Sequence, residues 1–238
     1  IPMFILMGTF AFAAGISKRL FKTAYAWIGH RRGGLTVATV FACAGFGAIC
    51  GSSTATAATM GKIALPEMKK YNYDDTLATG TVAAAGTLGI LIPPSTVLIV
   101  YGILTEQSIG KLFVAGIIPG IILSIFFAVT VAYLCWRKPE IGPPGARSSW
   151  RERLKVLTGV IEALLLFILT IGGLFLGWFS PTQAGAIGAG GALIIGLARG
   201  QLSWGSFKGA GLEGLRTSCM VIFIITGAVI FGHFMAIS

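Results

Sequence analysis

Long apolar runs, separated by short basic segments, dominate the pattern of this chain. The runs cover residues 1–16, 76–104, 108–136, 156–179, 183–198 and 217–238. A helix needs about 20 apolar residues to cross the roughly 30 Å hydrocarbon core of a bilayer, and most of these runs approach or exceed that length. The pattern therefore predicts an all-α, polytopic membrane protein.

Two of the intervening segments are amphipathic. Residues 17–32 carry basic side chains together with apolar ones such as Phe21 and Trp27. This composition is typical of a helix that lies at the membrane interface, where His30 is expected to be solvated. Residues 199–216 are mixed in the same way.

The run over residues 35–50 is too short for a full crossing and leads into Gly51-Ser52-Ser53-Thr54. Residues 57–67 then continue as a half-apolar helix that is expected to end at Pro66. Such a pattern favours a re-entrant hairpin over two crossings. Asp74 or Asp75 can cap the helix that follows.

The run over residues 76–104 contains Gly89-Ile90-Leu91-Ile92-Pro93-Pro94-Ser95. Two successive prolines remove two backbone donors and clash with the preceding turn, so a helix cannot continue straight through them. The sequence therefore predicts a spanning helix that is broken near its middle.

The distribution of Lys and Arg supports the re-entrant hairpin. If residues 35–67 enter and leave on one side, that side holds all but two of the 18 Lys and Arg residues, the exceptions being Lys62 and Lys111. A full crossing would instead put 17–32 and 137–155 on opposite faces. The positive-inside rule makes the basic side cytoplasmic, and it accounts for the net charge of +10 without a nucleic-acid partner.

The bend at Gly51–Thr54 and the gap at Gly89–Ser95 would both leave backbone polar groups unpaired at membrane depth. Such groups are tolerated only where they line a cavity or face protein. Free carbonyl and hydroxyl oxygens can ligate a hard cation such as Na⁺, and the N-termini of half-helices attract anions. The simpler alternative is a small-residue packing patch and an ordinary helix end; the two motifs together favour the ion site.

The other candidates for chemistry are isolated. Glu162 is expected to pair with Lys or Arg, and His233 to be packed in an apolar helix. The four cysteines form no close pair, so they indicate neither a disulfide framework nor a zinc site.

Several motifs together carry a family resemblance. They are Gly51-Ser52-Ser53-Thr54-Ala55-Thr56-Ala57-Ala58, Pro66-Glu67-Met68, Tyr73-Asp74, the stretch Gly89–Ser95, Ala115-Gly116-Ile117-Ile118-Pro119-Gly120 and Ser180-Pro181-Thr182-Gln183-Ala184-Gly185-Ala186. In this combination the chain resembles the large membrane subunit of TRAP transporters, the tripartite ATP-independent periplasmic transporters of bacteria and archaea. The similarity extends over nearly the whole chain.

The resemblance implies an architecture and a function. The fold would be one half of an inverted-repeat elevator transporter, with a re-entrant hairpin and a broken helix in each half. The protein would be no enzyme but a multi-pass protein of the bacterial inner membrane, importing organic acids such as sialic acid or C4-dicarboxylates with sodium. Its partners would be a small four-helix membrane subunit, sometimes fused, and a soluble periplasmic binding protein.

The resemblance also implies site residues. The Na⁺ ligands would come from Cys50, Ser52 and Ser53 at the hairpin tip and from Gly89, Ile92 and Pro94 at the break. Most would contribute backbone carbonyls, including Cys50, which stands where serine is expected. The residues expected beside the substrate are Ser53, Thr54, Pro93 and Ser95.

The same resemblance suggests a division of the chain. Residues 1–34 would end a spanning helix and lie at the interface, and 35–104 would belong to the moving transport domain. Residues 105–216 would form scaffold and arm helices with a basic cytoplasmic loop at 137–155, and 217–238 would begin a truncated second repeat.

Three rival interpretations remain at this point. One is a direct sodium–carboxylate symporter of the same superfamily, which needs no binding protein. Another is an intramembrane serine protease that uses Ser52 or Ser53 with His233. The third is a purely structural membrane subunit.

Overall fold

The computed structural model describes residues 1–237, and the side chains of residues 1–235, as an all-helical protein. The helices are α1 (Pro2–Ala13), α2 (Ile16–Ile28), α3 (Gly34–Cys50), α4 (Ser53–Lys70), α5 (Asp75–Gly86), α6 (Leu88–Leu91), α7 (Thr96–Leu104), α8 (Ile109–Arg137), α9 (Trp150–Val156), α10 (Thr158–Phe167), α11 (Gly173–Phe175), α12 (Pro181–Ala198) and α13 (Trp204–Ile237). A 3₁₀ turn (Pro139–Ile141) follows α8, and a π-helical segment (Ile168–Gly172) joins α10 to α11.

The described helices confirm the polytopic prediction. Four are long and apolar enough to cross a membrane, namely Ile109–Arg137, Trp150–Phe175, Pro181–Ala198 and Trp204–Met235. Two bent pairs would each make one further span, and they bend by 61° between α1 and α2 and by 41° between Asp75–Leu91 and α7. Large apolar side chains on α8 and α13, such as Ile118 and Phe223, are exposed, as lipid-facing positions would be.

The first helix is shorter than the sequence predicted. We expected residues 1–16 to form one segment, but α1 ends at Ala13 and the chain turns at Gly15. Gly15 has a φ of 72°, a left-handed conformation that glycine adopts most readily. The amphipathic helix α2 then begins at Ile16, close to its expected start.

Helices α3 and α4 form the re-entrant hairpin. The 17 residues of α3 reach about 25 Å at 1.5 Å per residue, less than the roughly 30 Å of a bilayer core. The return helix α4 runs to Lys70, so the expected end at Pro66 is wrong. A proline inside a helix removes one hydrogen bond. Exposed Pro66 lies near the end of α4, and the helix continues for one more turn despite that loss.

The expected broken helix is present. Its first part, α5 and α6, begins after Asp74, whose carboxylate caps α5 by accepting a hydrogen bond from Leu77 N at 2.9 Å. The chain leaves helical geometry after Leu91, and α7 begins at Thr96 after an extended Ser95. The break therefore coincides with the proline pair.

Two boundaries in the second half also differ from expectation. Residues 150–155, assigned from the sequence to the basic loop, are helical because Ser149 caps α9. Helix α13 runs unbroken from Trp204, so the expected boundary between 216 and 217 falls inside a helix; Ser238 lies outside the described residues. The sequence also missed the π-helical segment, where Thr170 Oγ1 donates to Leu166 O at 2.7 Å.

The basic segments meet at one end of the molecule, as the charge argument requires. Backbone hydrogen bonds connect the loop after α8 to the turns that follow α2 and that precede α3 and α5. Gly33 N donates to Gly142 O, Asp74 N to Ile141 O and Gly145 N to Gly29 O, at 2.8–3.1 Å. Helix α2 joins the same end, since Tyr25 and Tyr71 share a hydroxyl hydrogen bond of 2.8 Å. We refer to this end as the basic end.

An ion-pair cluster joins three parts of the basic end. Glu162 of α10 is buried, with 8% of its surface exposed. Its carboxylate pairs with Arg19 of α2 at 2.6 Å and accepts a hydrogen bond from Arg199 Nε, also at 2.6 Å. Arg19 additionally donates to Gln201 Oε1 at 2.9 Å. The expectation that Glu162 pairs with a basic residue is therefore confirmed.

Replacing Glu162 with Ala should lower the thermal unfolding midpoint of the detergent-solubilised protein by several degrees. The variant leaves two guanidinium groups without their shared carboxylate, and breaking a buried pair costs about 3 kcal/mol. The exposed Glu213 of α13 provides the control, because Glu213→Ala should leave the midpoint unchanged. Equal midpoints for Glu162→Ala and the wild type would contradict a stabilising role for the cluster.

Candidate functional site

The hairpin tip turns in two residues between α3 and α4. Gly51 has a φ of 62° and its N–H donates to Gly47 O at 3.0 Å, which ends α3. Ser52 is the N-cap of α4, and its hydroxyl accepts from Ala55 N at 3.3 Å. Thr56 secures the turn, because its N–H and hydroxyl both donate to Ser52 O, at 3.0 and 2.7 Å.

The tip is hydrogen-bonded to the break in the neighbouring helix. Gly51 O accepts two hydrogen bonds from Thr96, the first residue of α7: one from its N–H at 3.2 Å and one from its hydroxyl at 2.9 Å. The two interrupted segments that were picked out from the sequence therefore lie against each other.

Small residues make this approach possible. A Cβ on Gly89 would lie 2.6 Å from Ser52 O and from Thr56 Oγ1, and one on Gly47 would lie 2.8 Å from Gly89 Cα. A Cβ on Gly51 would likewise overlap the carbonyl oxygen of Pro94. Contacts below 3 Å are not tolerated by real Cβ atoms, so larger side chains would separate the tip from the break.

The break leaves a group of carbonyl oxygens without donors. In a continuous helix the N–H groups of residues 93 and 94 would bond to the carbonyls of Gly89 and Ile90, but both residues are proline. The hydroxyl of Ser95 donates to Ile90 O instead. Among the hydrogen bonds between described residues, none reaches the backbone oxygens of Gly89, Leu91, Ile92, Pro93 and Pro94.

Gly89 is among the buried residues that carry these oxygens, while Leu91 and Ile92 are half-buried. Pro93, Pro94 and Ser95 are buried. Helix α8 covers the outer side, since a Cβ on its Gly116 would lie 2.8 Å from Leu91 O. Buried carbonyls normally have a partner, so a run of unpaired ones is a site where a cation or water can bind.

The predicted site residues are distributed around the contact between the tip and the break, which we call the junction. Ser52 and Gly89 are in contact, and Gly51 joins them to Pro94. Ser53 is half-buried and Thr54 exposed at the start of α4. These positions put them at the positive end of that helix's dipole.

Three predicted residues have additional structural roles. The hydroxyl of Ser95 is fully buried and caps α7 by accepting from Leu98 N at 3.3 Å. Ile92 packs against Gly120 of α8. The backbone of Cys50 lies against Gly8 of α1, and its thiol lies 3.0 Å from Thr56 Oγ1.

The donor set determines which ions could bind. Within the described part of the chain, no group of three or more His, Cys, Asp or Glu side chains could hold a metal ion. The available ligands are carbonyl and hydroxyl oxygens, which suit hard cations such as Na⁺ and not thiophilic or imidazole-binding metals.

Sequence reasoning missed Thr56, Thr96 and Gly47, which hold the tip and the break together. For the two threonines a signal existed: Thr56 follows the N-cap Ser52 by four residues, and Thr96 directly follows the N-cap Ser95. Gly47 had no comparable local signal, because its role depends on a residue 42 positions away in the chain.

The protease interpretation loses its geometric basis. Ser52 Oγ lies 3.1 Å from Thr54 Oγ1 and also accepts from Ala55 N. His233 is exposed on α13 and borders a crevice with Leu104, at the far end of α7 from the tip. A nucleophile and its base must lie within hydrogen-bonding reach, and within the described residues no hydrogen bond joins these side chains.

Replacing Gly89 with Ala should separate the tip from the break. We expect the thermal unfolding midpoint to fall, with a cost of about 1–3 kcal/mol, because the added methyl overlaps Ser52 O and Thr56 Oγ1. Gly80 of α5 has open space around it, so Gly80→Ala is a matched control that should be neutral or slightly stabilising. Equal changes in the unfolding midpoints of both variants would show that the close contact at Gly89 does not contribute to stability.

Replacing Thr96 with Val should loosen the tip without filling space. The variant keeps the Thr96 N–H but loses the hydroxyl bond to Gly51 O, at a cost of about 1 kcal/mol. Hydrogen–deuterium exchange should speed up at residues 51–56. The control is Thr79→Val on the exposed side of α5, where the hydroxyl bonds only within its own helix; exchange at the tip should then stay at the wild-type rate.

Comparison with known proteins matches the sequence of this chain to a family. The model of the DctM component of the tripartite ATP-independent periplasmic transporters matches residues 1–238. The chain is 40% identical over 234 residues to the C4-dicarboxylate TRAP transporter large permease protein DctM of Pseudomonas aeruginosa, covering 98% of this chain and 54% of the relative.

Two further relatives show the same relationship. The sialic acid TRAP transporter large permease protein SiaM of Vibrio cholerae is 33% identical, over 99% of this chain and 55% of its own length. The isethionate TRAP transporter permease protein DctMQ of Oleidesulfovibrio alaskensis is 38% identical, over 100% of this chain and 37% of its own length. The chain thus spans at most about half the length of these three relatives.

Proposed function

The chain belongs to the family of the DctM component of tripartite ATP-independent periplasmic transporters, and on that premise we propose that it carries one cation site of a sodium-coupled importer of organic acids. The resemblance inferred from the sequence motifs is confirmed by the family match. The relatives are permeases and not enzymes, as expected.

The observation that carries the proposal is the set of unpaired carbonyl oxygens at the break, closed by the hairpin tip. Sodium would bind to oxygens from both sides of this junction, with Ser52 and Ser53 from the tip and Gly89, Ile92 and Pro94 from the break as the leading candidates. Broken helices in secondary transporters use unwound carbonyls in this way. Since the tip and the break would then share one ion, sodium would tighten their contact.

The substrate would bind next to this cation. The half-helix α4 begins at Ser53 and Thr54, where unsatisfied N–H groups and the helix dipole favour a negative charge. The N-terminus of α7 begins at the same junction, behind Ser95 and Pro93. An organic anion would be favoured there once sodium has added its positive charge. The names of the three relatives refer to C4-dicarboxylates, sialic acid and isethionate.

The proposed partners follow from the family. A periplasmic binding protein would deliver the anion, and a small membrane subunit would accompany the chain in the bacterial inner membrane, separately or fused. The word "periplasmic" in the family description supports the first partner. The relative called DctMQ, of which this chain covers 37%, is consistent with a fused arrangement.

The proposed motion is an elevator movement of residues 35–104 relative to scaffold helices. Its support is the packing of the hairpin and the broken helix as one unit: Gly86 of α5 lies against Ala57 of α4, and Gly47 lies against Gly89. Helices α8, α10 and α12 would belong to the scaffold and arms.

Replacing Ser52 and Ser53 together with Ala tests the sodium site. The full transporter is reconstituted into proteoliposomes with its binding protein, and uptake is measured against the sodium gradient. Loss of the hydroxyl ligands should raise the half-saturating sodium concentration about tenfold, because one hydrogen-bonding group to a charge contributes about 1.5–3 kcal/mol. Unchanged uptake with unchanged sodium dependence would contradict a sodium site that uses the hydroxyls of Ser52 and Ser53.

Ser108→Ala provides the matched control. Ser108 is also a helix N-cap, on α8, but lies outside the junction. It should lose only the cap and keep the sodium dependence of the wild type. Leaving out the binding protein separates this proposal from a direct symporter, which would retain full uptake without it.

A further inference from the structure

The basic end carries a group of arginines that the transport function does not explain. We define the basic corner as Arg31, Arg147 and Arg153 around His30. Arg31 follows α2, Arg147 lies in the loop after α8, and Arg153 belongs to α9. Segments that are distant in sequence thus supply three positive charges to the same end of the molecule.

The fold assembles this corner with specific backbone contacts. Gly145 N donates to Gly29 O at 2.8 Å, which places the loop beside the turn after α2. Thr23 Oγ1 donates to Val156 O at 2.6 Å and holds α9 along α2. The concentration of charge is therefore built by tertiary structure and is more than a general bias of the cytoplasmic loops.

No carboxylate neutralises the corner within the described part of the chain. Both ion pairs found there use Glu162, which pairs with Arg19 and Arg199. The nearest acidic residue in sequence, Glu152, instead borders a crevice between α2 and α9 together with Lys22 and Lys155. Like charges held together without a counter-charge are unfavourable, so the corner is arranged to receive an anion.

Two side-chain nitrogens at the corner are shielded. His30 Nδ1 and Arg153 Nε are inaccessible to solvent and have no hydrogen-bond partner among the described residues. His30 as a whole is half-buried, so the expectation that it is solvated is met only in part. Burial, followed by the guanidinium groups of Arg153, Arg31 and Arg147, lowers the pKa of His30 below its usual value.

Aromatic side chains border the corner on its apolar side. The rings of Trp27 and Trp150 meet edge to face at 6.3 Å, and Arg153 stacks over Trp150 with 5.2 Å between the guanidinium carbon and the ring centroid. Trp27, Trp150 and Leu154 are 39%, 69% and 63% exposed. Tryptophan prefers the headgroup level of a bilayer, so an apolar surface borders the charges where acyl chains begin.

We propose that the basic corner binds the phosphate-bearing headgroup of an anionic phospholipid from the leaflet that the basic end faces. The phosphate lies among Arg31, Arg147 and Arg153, and the first carbons of an acyl chain rest on Trp150 and Leu154. Basic pockets at the cytoplasmic ends of membrane helices bind anionic lipids by this combination. A free phosphate ion would use the arginines but gain nothing from the exposed apolar side chains.

Native mass spectrometry of the full-length transporter tests this site. The detergent-solubilised protein is titrated with phosphatidylglycerol or with phosphatidylcholine of the same acyl chains. We expect the wild type to prefer phosphatidylglycerol by at least about tenfold, since each Lys or Arg near an anionic headgroup contributes about 1 kcal/mol. Absence of a preference in the wild type would overturn the proposal.

The triple variant Arg31→Gln, Arg147→Gln and Arg153→Gln should lose most of this preference. The control removes the same charge from exposed positions on the basic end, with Lys69, Lys70 and Lys208 replaced by Gln, and should retain it. If the triple variant does not fold, the exposed Arg31→Gln alone should weaken phosphatidylglycerol binding about fivefold. Equal losses in variant and control would show a nonspecific charge effect and overturn the site.

Competition distinguishes a lipid from a soluble anion. Inorganic phosphate at millimolar concentration should leave bound phosphatidylglycerol in place, because it lacks the apolar contact with Trp150 and Leu154. Displacement of the lipid by inorganic phosphate would overturn the lipid assignment. Trp150→Ser should weaken phosphatidylglycerol binding while leaving all the arginines present, and unchanged binding would likewise count against it.

Discussion

The contact between Gly51 and Thr96 is the constraint on which the rest of the site depends. A carbonyl at the hairpin tip accepts two hydrogen bonds from the first residue after the break, at 3.2 and 2.9 Å. It joins two segments that could not remain unpaired in lipid by themselves. The break supplies a hydrogen-bonding partner for the hairpin tip, and the tip in turn covers part of the break.

This contact also explains why several carbonyl oxygens of the break accept no hydrogen bond from the described residues. Pro93 and Pro94 remove the donors, Ser95 replaces one of them at Ile90, and Thr96 is committed to Gly51. The remaining oxygens lie along the break, which both the tip and α8 contact. In the proposed function these acceptors would bind a cation, since ligands already in place lose little freedom on binding.

The basic end and the hairpin tip are separated by most of the hairpin, but the same helices build both. Helices α3 and α4 both extend from the basic end to the tip. At the basic end the loop after α8 is hydrogen-bonded to Gly29, Gly33 and Asp74. A lipid headgroup at the basic corner would therefore lie near the end of the hairpin that is opposite the tip. Glu162, Arg19 and Arg199 hold the neighbouring helices at that end.

The sequence by itself determined the apolar spans, the re-entrant hairpin, the proline break and the sidedness of the charges, because these depend on local composition and on the cost of unpaired backbone in lipid. The sequence misplaced the helix end at Pro66 and the boundaries near residues 150 and 216. No strong local pattern of residues indicates that these positions lie within helices. Only the tertiary structure decided that Gly47 faces Gly89 and that the loop after α8 meets the turn after α2. Such contacts join residues far apart in the chain, and no local pattern of side chains encodes which backbones will meet.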